Sequence, residues 1–108
     1  MSETVIGLTA DGKKIVHKVT TGPTSYSSGG FTVRITELNR IDAVSVSIRT
    51  NLKVDDLVHV VDYSVSDNTI TFTVYYINVT ASSPVSWSEV SDGTDISALT
   101  LEIIAIGV

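Results

Sequence analysis

Val and Ile alternate with Ser and Thr along most of this chain, and no other feature restricts its fold so strongly. The 108 residues include 16 Val, 11 Ile, 14 Ser and 14 Thr, about half of the total. β-Branched side chains are stiff at χ1 and fit a pleated surface that is dry on one face and wet on the other. Good helix formers are scarce, with 6 Leu, 5 Ala, 4 Glu, 4 Lys, 1 Met and no Gln. The period of two therefore predicts an all-β chain.

Residues 1–12 carry a brief alternation at Val5, Ile6 and Leu8 and read as an N-terminal arm or short leading strand. From Lys14 to Thr20, Ile15, His17 and Val19 share one face while Val16 and Lys18 share the other. Thr21 to Gly30 is rich in Gly, Pro and Ser and reads as a loop. Phe31, Val33 and Ile35 then oppose Thr32, Arg34 and Thr36, and Val44, Val46 and Ile48 oppose Ser45, Ser47 and Arg49. Val54, Leu57, Val58 and Val61 also fit a helical spacing, but the segment is read as a strand from Leu57 to Val65. Ser66-Asp67-Asn68 joins it to a strand over Thr69 to Val79, a strong hairpin signal because Asp and Asn tolerate positive φ.

Thr80 to Pro84 reads as a loop, and Val85, Trp87 and Glu89 as a short strand anchored on Trp87. Asp92 to Asp95 reads as a turn, with a helical turn over Ile96 to Ala98 capped by Asp95. The last strand, from Leu99 to Val108, is apolar on both faces at Ile103 to Ile106, which puts it in the middle of a sheet or against a neighbouring subunit. The expectation is a single-domain antiparallel β-sandwich over residues 13–108, of seven or eight strands and jelly-roll-like rather than immunoglobulin-like.

Composition narrows function by exclusion. A net charge of -5 provides no basic face for nucleic acid, the only basic cluster being Lys13, Lys14, His17 and Lys18, read as a solvated edge. No run approaches the roughly 20 apolar residues of a membrane-spanning helix. An acid stands in Met1-Ser2-Glu3-Thr4 where a leader would place Lys or Arg, so use without export is expected. Cysteine is absent, which removes disulfides, thiolate metal sites and a cysteine nucleophile.

No Gly-x-Ser-x-Gly occurs, and His17 and His59 both fall mid-strand. Gly29-Gly30-Phe31 lacks the lysine of a phosphate loop. Asp92, Asp95 and Asp55-Asp56 offer hard oxygens for calcium without EF-hand spacing, and no pair of carboxylates marks a glycosidase cleft. No catalytic, cofactor-binding or metal-ligating residue is singled out. Sugar stacking could use Trp87, Tyr26, Tyr63, Tyr75 or Tyr76, although Trp87, Phe31 and Phe72 are read as core. The tripeptide Asn78-Val79-Thr80 fits a glycosylation pattern with no export signal beside it. A mean hydropathy of +0.29 is high for a small acidic domain and points to apolar surface that a partner covers.

Two segments, Thr21-Gly22-Pro23-Thr24-Ser25-Tyr26-Ser27-Ser28-Gly29-Gly30-Phe31 and Trp87-Ser88-Glu89-Val90-Ser91-Asp92-Gly93-Thr94-Asp95-Ile96-Ser97, precede alternating strands, the second ending in Ile104-Ala105-Ile106-Gly107-Val108. With the strands between them they resemble small all-β structural proteins of tailed bacteriophages and related archaeal viruses. The resemblance implies a virion component on the capsid exterior, a head decoration or cement protein made in the host cytoplasm. It also implies homo-oligomers, often trimers, seated on a major capsid protein. It transfers no functional residue. Val5, Ile6 and Leu8 of the arm, with Tyr26 and Phe31 at the loop, are the expected partner contacts; a carbohydrate-binding module of a tail fibre or surface protein, or a tail or connector subunit, are the competing classes.

Overall fold

A computed structural model of the chain describes residues 3–79 and 86–108, and all its regular elements are strands. In chain order they are β1 (Glu3–Leu8), β2 (Lys14–Thr21), β3 (Phe31–Arg34), β4 (Ile41–Thr50), β5 (Leu57–Ser66), β6 (Thr69–Asn78), β7 (Ser88–Glu89) and β8 (Thr100–Gly107). One sheet has the order β1-β2-β8-β4. The other has the order β3-β6-β5, with β7 also on β6. Every pairing is antiparallel, so the chain is an all-β sandwich. Four of the seven connections, β2 to β3, β3 to β4, β4 to β5 and β7 to β8, pass from one sheet to the other.

β8 sits between β2 and β4, the interior position its sequence suggests, and its outward face leaves Ile104 38% exposed. Leu101, Ile103 and Ala105 point inward and are fully buried. From the facing sheet come Ile70, Phe72 and Val74 of β6, also without exposure, and Val33 of β3. Leu38, Ile96 and Leu99 close the ends of this core. Each such side chain contributes about 1.5–3 kcal/mol when moved from water to the interior. In β2, where both faces looked usable, Val16 faces the core opposite Ala105, and Ile15, His17 and Val19 face out.

The β5–β6 hairpin turns on two residues, and Asp67 takes the positive φ of 54° that the turn requires. Its tip is tied to the β3–β4 link. The carbonyl of Asn68 accepts from Ile35 N at 2.8 Å, that of Asp67 from Ile41 N at 2.8 Å, and Asn68 Nδ2 donates to Leu38 O at 2.9 Å.

Two local expectations change and one holds. Trp87 is 49% exposed and does not anchor the core, because β7 is only two residues long and begins after it. At Ile96 to Ala98 the chain makes the single turn expected: Leu99 N closes it on Ile96 O at 3.0 Å, and Asp95 Oδ1 caps its start by accepting from Ser97 N at 2.9 Å. The half-buried strand expected over Phe31 to Thr36 ends at Arg34, although Ile35 N still donates in register to Asn68 O, the next position of the β6 pairing. The readings placed on Thr80 to Val85, including the threonine of the glycosylation tripeptide, lie outside the described residues.

Gly30 holds φ at +107° where a Cβ would stand 2.1 Å from Phe72 O. Gly29 beside it has φ +92° and open space around it. Gly29→Ala should therefore cost about 1 kcal/mol of backbone strain. Gly30→Ala should cost at least about 2 kcal/mol more from the clash with β6. Urea unfolding of the two variants measures the difference, and equal costs would contradict the close approach of the loop to β6.

Candidate functional site

The sandwich has two lateral sides, and the sequence treats them differently. On one side lie β1 and the β3/β7 edge of β6; on the other lie β4 and β5. The first side is closed by side chains. β3 covers β6 from Thr69 to Phe72 and β7 covers Tyr75 and Tyr76, which leaves the backbone of Val74 in a gap. Tyr26, 1% exposed, fills it: Val74 N donates to Tyr26 Oη at 3.2 Å, and Tyr26 Oη donates to Glu89 Oε2 at 2.6 Å. Val90 N takes the Val74 carbonyl at 2.9 Å. Burial, followed by the Glu89 carboxylate, pushes the Tyr26 phenol up to about 12, so it keeps the proton it donates.

The loop after Thr21 is thereby a fixed element. Glu89 Oε2 also accepts from Gly29 N at 2.8 Å, and Asp92 Oδ1 accepts from Ser28 N at 2.6 Å. Tyr26 N donates to Thr94 O at 2.9 Å and Gly93 N to Tyr26 O at 2.7 Å. Of the two expected contact residues here, Tyr26 lies inside, with its hydroxyl fully engaged. Phe31 is half-buried against Phe72, ring centroids 5.4 Å apart.

The leading strand is tied down at Glu3. Its carboxylate accepts from Thr36 N at 2.9 Å, Thr36 Oγ1 at 2.8 Å, Glu37 N at 3.0 Å and Lys18 Nζ at 3.1 Å. Burial alone would raise this carboxyl, but the Thr36 and Glu37 amides, the Thr36 hydroxyl and the Lys18 ammonium outweigh it and hold it at about 2. Nothing in the sequence spacing announces this contact between residues 3 and 36. Beyond it, the β1–β2 register breaks between Val5 and Gly7, and Val5, Ile6 and Leu8 stand exposed, Leu8 at 68%.

The basic cluster is not simply solvated. Lys13 pairs with Asp42 at 3.2 Å, Lys14 Nζ donates to Glu37 O at 3.3 Å, and Lys18 bonds Glu3 and Arg34 O.

The second side is open. β4 and β5 are each ten residues long and pair on one edge only. Ten residues of strand span about 33 Å, more than half of the 52 Å long axis of the molecule. Tyr63 and Val65 share the inner face with Phe72 and Ile70 opposite them, yet are 40% and 39% exposed. Ile48, opposite Leu101, is 38% exposed. The core is thus incompletely covered along this side. His59 is buried here beside Tyr76, its Nδ1 without a hydrogen-bond partner among the described residues, and burial lowers its pKa.

Among the described residues no pocket opens and no three His, Cys, Asp or Glu side chains converge as metal ligands. The chain matches no protein-family model, no curated protein and no solved structure.

Tyr26→Phe leaves Val74 N and Glu89 without their shared hydroxyl and should destabilise by about 1–3 kcal/mol in urea unfolding; a neutral result would detach Tyr26 from the closure of this side. Glu3 has a folded-state pKa of about 2, below the ordinary 4.5. Its stabilisation is accordingly complete above the unfolded value and is lost as pH falls from about 5 through the folded value. The shift corresponds to about 3 kcal/mol at most. Glu3→Gln should remove that acid-sensitive part of the stability profile, and an unaltered profile would argue against the Glu3 tie.

Proposed function

We propose that this chain is a structural subunit of a virus particle that decorates or cements the capsid shell through protein–protein contacts and performs no chemistry. The surface carries the reading. Thirteen large apolar side chains stand exposed among the described residues, including Val5, Ile6 and Leu8 on one side and Val58, Val60 and Tyr63 on the other. Single exposed apolar residues are ordinary, but this many beside uncapped strand edges on a small domain favour a standing neighbour. The partners implied are further copies of the chain, grouped as trimers, and the major shell protein. β1 is the attachment element in this reading, because its exposed side chains can be changed without touching the core.

Mass spectrometry of gradient-purified particles tests it. The expected result is a copy number comparable to that of the shell subunit, reduced by Ile6→Asp with Leu8→Asp while circular dichroism of the free protein stays the same. Absence from particles overturns the reading, and a few copies confined to the tail would replace it with a tail or connector role. The exposure of Trp87 favours a second reading, a sugar-binding module. Glycan-array binding that Trp87→Ala abolishes would support it.

A further inference from the structure

The first side of the sandwich carries the devices that keep strand edges from pairing with other chains: a bulge in β1, edge strands of four and two residues, and the Glu3–Lys18 ion pair. β4 carries register shifts only near its two ends, between Ile41 and Ala43 and between Ile48 and Thr50, and none over Ala43 to Ile48. Ala43-Val44-Ser45-Val46-Ser47-Ile48 has no charge, no Pro and no Gly, the composition that pairs most readily with another strand.

The direction of its free backbone groups follows from its neighbours. Val108 exchanges hydrogen bonds with Arg40, whereas Leu99 O turns the other way to accept from Gly22 N. Even-numbered residues of β8 therefore bond toward β4, and Ala43, Ser45 and Ser47, opposite Ile106, Ile104 and Glu102, bond toward β8. The amides and carbonyls of Val44, Val46 and Ile48 point off the open edge.

Resting on the reading of the chain as a structural subunit, we propose that a second copy of this chain covers the β4 edge. The two β4 strands pair antiparallel about a twofold axis at Val46, joining two four-stranded sheets into one. This register sets Val46 against Val46 of the second copy and Val44 against its Ile48, so all the outward groups of the three residues find partners. On the inner face only apolar side chains meet; on the outer face Ser45 meets Ser47. Charge agrees as well. Arg49 of each copy falls opposite Ala43 of the other and Asp42, held by Lys13 and Arg40 of its own chain, opposite Thr50, so no like charges are opposed.

The neighbouring β5 edge is a poorer candidate. Its start is capped by Asn51 Nδ2 on His59 O at 3.1 Å and Leu57 N on Val54 O at 3.1 Å, and pairing about Tyr63 would bring two copies of Asp62 diagonally together. A twofold contact closes on a pair, so it is separate from any threefold grouping of the subunit on a shell.

The natural chain has no cysteine, which makes the register directly testable. Ser45 and Ser47 of the second copy would be a directly opposed, non-hydrogen-bonded pair about 4.5 Å apart at Cα, within reach of a disulfide. Mixing S45C and S47C under mild oxidation should give mainly the mixed disulfide, in clear excess over either self-linked product. Sedimentation of the natural chain should give twice 11.5 kDa. The doubly substituted S45K/S47K chain sets like charges face to face and should weaken the dimer at least tenfold, with its circular dichroism unchanged because both positions are exposed.

A natural chain still monomeric at about 0.1 mM, where a micromolar pair would be formed, overturns the proposal. So does an assembly that S45K/S47K leaves intact. A monomer that is nevertheless abundant in particles would sink the β4 pairing while leaving the structural role standing; cross-linking in a chain absent from particles would do the reverse.

Discussion

A sandwich this small encloses few of its strands, and most of what distinguishes this molecule is a response to that limit. Among the described residues only β2, β6 and β8 have partners on both edges; β1, β3, β4, β5 and β7 each leave a row of backbone groups without a described strand beside it. Hydrogen-bonding capacity left bare in this way invites other chains. The interior strands are placed tightly. Gly107 at the end of β8 has no room for a side chain, because a Cβ would lie 1.9 Å from Arg40 O.

Side chains that bond distant backbone and hydroxyl groups gather on one side of the sandwich. Tyr26 takes the place of the missing strand residues beside Val74, Glu89 holds both that hydroxyl and the Gly29 amide, and Glu3 gathers two amides, a hydroxyl and an ammonium. These contacts span 15 to 63 positions in sequence, so each also fixes a loop against a distant strand. The opposite side receives less such attention; among the described residues Asn51 caps it, at His59 O. The two lateral edges of one domain are thus treated unequally, and the β4 and β5 side is the one left more open to another strand.

Period-two patterning made the strands legible. Val33, Ile70, Phe72, Val74, Leu101 and Ile103 lie inside as their alternation requires, and the Asp67-Asn68 turn falls where the residue types place it. The two apolar faces of the last strand signalled an interior position, which β8 occupies. What the sequence hid is long-range. Tyr26 sits in a segment whose composition says only loop, and its burial depends on Val74 and Glu89 far along the chain. Trp87 reads as core by residue type, yet lies outside because the strand after it is too short to turn it inward. β2 carries aliphatic residues on both faces, so only the pairing of Val16 with Ala105 decides which one is dry. Strand adjacency is a property of tertiary packing, and no local signal encodes that β8 separates β2 from β4.

That adjacency has a consequence for biosynthesis. β2 and β4 can be made, and can emerge from a ribosome, long before the strand that must lie between them. Until residues 100–107 have left the exit tunnel, the β1-β2-β8-β4 sheet has no middle. Folding of this domain is therefore expected to be a late, concerted event, with a nascent stage in which aliphatic strands wait unpaired and are vulnerable to capture by one another on neighbouring ribosomes.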